Sequence, residues 1–263
     1  MYENLLTEID AGVGIVTLNR PERHNAFDDR TILELIEALG QMDDDPTVRV
    51  VVLSSTGKSF SAGADLRWMQ RAAAQSYDEN LRDANNLAEM LRRLAQLSKP
   101  TVARVQGPAY GGGVGVIAAC DIAVATFEAQ FALTEVKLGI IPAAISPHVI
   151  GAIGARHARR YMLTAERFSA AEAYRIGLVH EMVADVAALD EAVGQIVDSL
   201  LANGPAALTA CKMLIGAVTG KPLSPDLVND TARRIAGIRS TDEAQEGMAA
   251  FFEKRKPNWA PGE

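Results

Sequence analysis

The chain has 263 residues, 48% of them hydrophobic and 22% charged, with a formal net charge of −7. That length carries one large domain, or a domain with a helical extension. The acidic balance disfavours a nucleic-acid or anionic-membrane surface, and no uncharged apolar stretch reaches bilayer length.

In chain order, Leu5, Thr7 and Ile9 alternate, Asp10-Ala11-Gly12 reads as a hairpin turn, and residues 14–18 (GIVTL) form a second strand. Asp28 caps a helix to about Met42, with Ile32, Leu35, Ile36 and Leu39 on one face. Val48 to Leu53 is a buried strand. A short helix over 66–73 and a long one over 78–97 follow, ended by Pro100. Residues 101–105 and 122–125 are strands, with a small-residue helix over 113–120 between them. Gln130 to Thr134 is strand-like, and Glu135 follows it. Beyond about residue 145 strand signals nearly vanish, apart from 178–183. Helices are expected at roughly 185–202, 205–218, 225–238 and 241–254. Capping boxes are expected at Ser169–Glu172 and Ser240–Glu243. These patterns predict an α/β core over 1–190 and a helical part over 191–263.

Two glycine-containing turns carry the chemistry. Phe60-Ser61-Ala62-Gly63-Ala64-Asp65-Leu66 and Gly107-Pro108-Ala109-Tyr110-Gly111-Gly112-Gly113 each follow a β-branched run and precede a helix. Helix starts offer backbone N–H groups without intrahelical partners, backed by the positive end of the helix dipole. Two such groups converging on one carbonyl oxygen make an oxyanion hole, and a nearby carboxylate at Glu135 moves a proton. Isolated glycine-rich turns are mostly plain loops, so the combination carries the argument. Gly111-Gly112-Gly113-Val114-Gly115 lacks both the G-x-G-x-x-G spacing of a dinucleotide site and the Lys-Ser/Thr of a phosphate loop.

These segments resemble the crotonase (enoyl-CoA hydratase/isomerase) superfamily. The matches are Leu18-Asn19-Arg20-Pro21, Phe60 to Asp65, Gly107 to Gly113 with Cys120-Asp121, Thr134-Glu135-Val136-Lys137-Leu138-Gly139, and Phe252-Glu253-Lys254-Arg255. The resemblance implies a crotonase spiral of strand-strand-helix units with a helical C-terminal trimerisation region. It implies an acyl-CoA substrate, a homotrimer or a dimer of trimers, and no cofactor beyond the coenzyme A of the substrate. By the family motif, the N–H groups of Ala64 and Gly112 form the oxyanion hole. Typical hydratases of the family carry two glutamates. Glu135 stands at the later position and Gly115 at the earlier, so one acid is missing.

Hydration of a 2-enoyl-CoA by Glu135 alone is the expected activity. Two alternatives are a Δ3,Δ2-enoyl-CoA isomerase, which in this family keeps only the later acid, and a catalytically silent acyl-CoA-binding protein. Gly115, the stretch Pro142 to Pro147, Arg104 to Gly107 and Ala158 to Phe168 are similar to the bacterial methylglutaconyl-CoA hydratase-like branch, which serves leucine and acyclic-isoprenoid breakdown. The backbone around Ala62, Ala64 and Leu66, with Gly111, Gly115 and Pro142, matches the substrate groove. Arg67 or Arg23 is expected to meet phosphate, and Lys254 matches a lysine that reaches a neighbour's coenzyme A. Asp65 belongs to the substrate-site motif with an expected capping role, and Asp121 is expected to be a buried hydrogen-bonding acid. His148, on an apolar helix, is more often a packed residue than a polar substrate contact. The two cysteines, Cys120 and Cys211, read as buried free thiols. With no Cys/His cluster, no metal is expected. The N-terminus lacks the basic and apolar regions of a signal peptide, so a cytoplasmic location is expected.

Overall fold

The structure is a computed structural model that describes residues 2–260. Strands β1 (Leu5–Asp10) and β2 (Val13–Leu18) make an antiparallel hairpin. A 3-10 turn, Pro21–Arg23, leads to helix α1 (Asp29–Asp44). The Asp28 carboxylate caps α1 by accepting from the Thr31 N–H at 2.8 Å. Strand β3 (Val50–Ser55) is followed by α2 (Leu66–Ala72) and α3 (Tyr77–Gln96). Next come β4 (Thr101–Val105), β5 (Ala109–Tyr110) and α4 (Gly112–Ala119). Strands β6 (Ile122–Thr126) and β7 (Gln130–Ala132) precede a second 3-10 turn, Glu135–Leu138. The rest is α5 (Ser146–Thr164), β8 (Phe168–Ser169), α6 (Ala170–Arg175), β9 (Glu181–Val183), α7 (Val186–Leu201), α8 (Pro205–Val218), α9 (Pro225–Arg239) and α10 (Asp242–Glu253).

The main sheet runs β1-β2-β3-β4-β6-β9, parallel from β2 onward. A smaller sheet, β5-β7-β8, lies beside it. Single bridges, Ser61 to Ala109 and Phe27 to Ala64, extend that second layer across the two glycine turns. The chain therefore spirals: a strand in the large sheet, a strand in the small layer, then a helix. This is the α/β crotonase architecture.

Alternation along β3 explains the layering. Val51 and Leu53 point into the large core with α1, α3 and α4, while Val50 and Val52 point to the opposite face. There α7 covers them with Leu189, Val193 and Val197. Helix α7 is thus part of the sheet's own packing, and residue 190 falls inside it. The polar anchor of α8 is Lys212, which pairs with Asp121 at 2.7 Å. Asp121 also accepts from the N–H and hydroxyl of Thr101.

Two local expectations change. Ser169 caps α6, but the Glu172 carboxylate turns away to Arg175 and the Tyr161 hydroxyl. At α10 the cap is Thr241 rather than Ser240. Glu243 instead reaches the start of α8, accepting from the N–H groups of Ala206 and Ala207 at 2.9 and 2.8 Å. Gly204 at that helix start has no side chain to cap it, so the carboxylate arrives from a neighbouring helix. One thiol also differs from expectation. Cys211 is exposed; Cys120, though its residue is half-buried, holds its thiol in the desolvated setting expected, pushed up to about 12. Among the described residues no single helix is long and apolar enough to cross a membrane.

Candidate active site

The two glycine turns lie against each other. Gly63 adopts φ +83°, and a Cβ built on it would stand 2.7 Å from the Tyr110 carbonyl oxygen and 3.5 Å from the Gly112 nitrogen. Only glycine permits both the left-handed backbone and that approach. A Cβ on Gly111 would meet the Glu135 Oε1 at 3.0 Å, so the carboxylate sits directly beside the second turn. Among the described residues the N–H groups of Ala64 and Gly112 donate to no protein acceptor, whereas Gly63, Asp65 and Gly111 all donate within the fold. Gly112 is also the first residue of α4, where the helix dipole favours negative charge.

Glu135 opens its 3-10 turn and lines the cavity in front of both turns. Its Oε2 is buried without a hydrogen-bond partner. Desolvation raises its pKa above the ordinary value of 4.5, the state suited to a group that both takes and returns a proton.

The cavity has a volume of about 410 Å3. Ala62, Ala64, Leu66, Gly111, Gly112, Glu135 and Pro142 all line it. Most of the remaining lining is apolar: Phe27, Trp68 and Met69, Leu87 on α3, Leu138, and Ile140 to Ile145. Asp83 and Asn80 add polar side chains from α3, and the Trp68 indole N–H donates to Asp83 at 3.4 Å. No Lys, Arg or His lines the cavity among the described residues.

Other motif residues lie elsewhere. Asp65 is buried outside the cavity lining. Its carboxylate caps α2, accepting from the N–H groups of Arg67 and Trp68, and pairs with Arg20. Arg23, Arg67 and Lys254 are exposed and outside the lining. His148 faces a separate cavity beside Cys120, Asp121 and His180, and burial lowers its pKa. Among the described residues no cluster of His, Cys, Asp and Glu has the makings of a metal site.

Gly115 is buried in α4 and lines no part of the main cavity. A Cβ there would stand 2.2 Å from Ile145 Cγ2 and 2.6 Å from Ile145 Cβ. Ile145 is 2% exposed, and its Cβ, not only the end of its side chain, stands in the way. The position of the missing acid is therefore filled by a neighbour's side chain. The sequence singled out both Gly115 and the stretch Pro142 to Pro147, but the contact joins residues 30 positions apart and has no local pattern.

The fold brings two glycine turns together at one cavity, with one desolvated acid beside them. The chain belongs to the enoyl-CoA hydratase/isomerase family, which it matches over residues 8–262. It is similar to a crotonyl-CoA hydratase of Syntrophomonas wolfei, 34% identical over 266 residues covering 98% of each chain. Among solved structures it is similar to an enoyl-CoA hydratase of Shewanella pealeana, with a TM-score of 0.95 and 43% identity, covering 98% of this chain and 96% of that one. Pseudomonas aeruginosa AtuE is also similar, with a TM-score of 0.94 and 38% identity, covering 98% and 100%.

Proposed function

We propose that this chain hydrates a 2-enoyl-CoA thioester with Glu135 as the single acid–base group. The observation that carries this reading is the pairing of two free amides with a buried, unpartnered carboxylate oxygen. In the proposed step Glu135 takes a proton from water as the water oxygen bonds to C3. The double-bond electrons move toward the thioester, and its oxygen gains negative charge held by the N–H groups of Ala64 and Gly112. Protonated Glu135 then delivers its proton to C2, and the enolate collapses to the 3-hydroxyacyl thioester. Losing one such amide donor costs about 3–4 kcal/mol of transition-state stabilisation.

The apolar lining supports an acyl chain directed toward Trp68, Leu87 and Ile141. Arg23 and Arg67 are proposed to meet the coenzyme A phosphates at the surface, and Lys254 to serve a neighbouring subunit. A branched, methylglutaconyl-like acyl group remains the finer reading, supported by the Gly115 and Pro142–Pro147 stretches. The lining brings no cation to the second carboxylate of such a substrate, so a substrate series decides this point. We also propose self-association as a homotrimer or a dimer of trimers. Leu223, Phe251 and Phe252 stand 86%, 78% and 78% exposed on the C-terminal segment, and helices α8 and α9 bury none of their residues in the single chain.

The filled position beside Gly115 favours one second reading. A lone acid can shuttle a proton from C2 to C4 of a 3-enoyl-CoA without water, which is isomerisation. One assay separates the readings. Purified protein that consumes the conjugated enoyl-thioester absorbance of crotonyl-CoA is a hydratase. Gain of that absorbance from a 3-enoyl-CoA marks an isomerase, and binding without either marks a silent scaffold.

A further inference from the structure

We infer that Arg20 is a positioning residue for the oxyanion hole, acting on the Ala64 N–H through two peptide groups linked head to tail. The inference rests on the proposed role of that amide. The Arg20 guanidinium donates through Nη1 to the Ala26 carbonyl at 2.7 Å. The same peptide group carries the Phe27 N–H, which donates to the Gly63 carbonyl at 2.7 Å. That carbonyl in turn shares its peptide group with the Ala64 N–H. A trans peptide is planar, with its C=O and N–H pointing in opposite directions. Fixing the carbonyl of Gly63 therefore fixes where Ala64 donates, and fixing the carbonyl of Ala26 fixes where Phe27 donates.

The rest of the loop is braced for this geometry. Arg20 pairs with Asp28 at 3.0 Å and with Asp65 at 3.3 Å, the carboxylates that cap α1 and α2. The Asp65 N–H donates back to the Phe27 carbonyl at 2.8 Å, closing the bridge between the two segments. Asn25, in the left-handed region at φ 52°, receives the Arg20 N–H and ties the loop to the carbonyls of Thr56 and Ser59. One side chain thus sets the helix starts and the amide between them. Its donated hydrogen bond also polarises both peptide groups in one sense, toward the Ala64 N–H, and hydrogen bonds in such chains strengthen one another.

The test compares Arg20→Gln and Arg20→Lys with the parent chain in two readouts. With crotonyl-CoA, Arg20→Gln lowers kcat by about 10- to 100-fold with KM within about threefold, a loss smaller than removal of an oxyanion donor. Arg20→Lys, which keeps a cation within reach of Ala26, recovers part of that loss. The second readout needs no turnover. In a Glu135→Gln background, the absorbance of bound cinnamoyl-CoA shifts to longer wavelength as its carbonyl is polarised, and Arg20→Gln diminishes the shift. A kcat loss matched by an equal loss of folded protein, or an unchanged absorbance shift in folded Arg20→Gln, overturns the inference. If Arg20→Gln does not fold, Arg20→Lys carries the same spectral comparison. Absence of turnover in the parent chain overturns the proposed reaction and leaves the spectral test of Arg20 standing.

Discussion

The glycine-turn region and the C-terminal helices solve opposite problems. Around residues 60–66 and 107–115 the two turns are bridged and side chains interlock, with the Ala64 and Gly112 amides among those left without a protein acceptor among the described residues. Over α8 to α10 the single chain buries one residue, Ala250, and presents apolar side chains outward. The first region uses burial to fix geometry, which chemistry demands to within fractions of an ångström. The second leaves apolar surface exposed in the single chain. Substitutions in the two regions should therefore fail in different ways.

The largest effect is expected at the acid. Glu135→Gln lowers kcat by about 10²–10⁴-fold while acyl-CoA binding stays near the parent value, read by steady-state rates and by calorimetric binding of butyryl-CoA. Wild-type turnover in this variant would break the comparison at its functional end. Next is Gly115→Ala, which drives a methyl into Ile145 and costs about 1–3 kcal/mol in denaturant unfolding. Adding Ile145→Ala relieves the clash, so the double variant loses less than the two single changes summed. At the other region, Phe251→Asp with Phe252→Asp shifts the elution of the protein to a smaller species in size-exclusion chromatography. Unchanged elution would remove the proposed contact role of those rings. Glu243→Gln weakens the cap of α8 by about 0.5–2 kcal/mol, seen as a lower midpoint in thermal unfolding.

The smallest effect depends on pH. Burial raises the Glu135 pKa above 4.5 in the folded chain. Below the unfolded value both states hold the proton, and the residue costs nothing. As pH rises through the window between the unfolded value and the raised folded value, the folded state loses stability relative to the unfolded one. Glu135→Gln is therefore more thermostable than the parent at pH 7 to 8, an advantage that fades at pH 4. The same ionisation makes kcat/KM climb with pH through an inflection above 4.5.

Much of this was legible in the sequence because it is local. The alternation of β1, the valine run of β3 and the cap at Asp28 are patterns of neighbours, and the predicted strands and helices lie within a few residues of those observed. The two turns and Glu135 stood out because strand, glycine and helix start follow one another in order. What stayed hidden depends on contacts across the fold. Strands β5 and β8 have two residues each, too few for any period. Glu243 has capping-box spacing from Ser240, yet it caps α8 because Gly204 leaves that helix start bare. The capping role of Asp65 was legible from its place before α2, but its pairing with Arg20, 45 residues away, was not. The filling of the Gly115 position by Ile145 needed coordinates.

A crystal structure of the Glu135→Gln variant with crotonyl-CoA tests the core of the account most directly. The thioester oxygen should lie about 2.7–3.1 Å from both the Ala64 and the Gly112 nitrogens, with the side chain at position 135 over C2 and C3. A thioester oxygen bound by neither amide, or a substrate double bond out of reach of position 135, would contradict it.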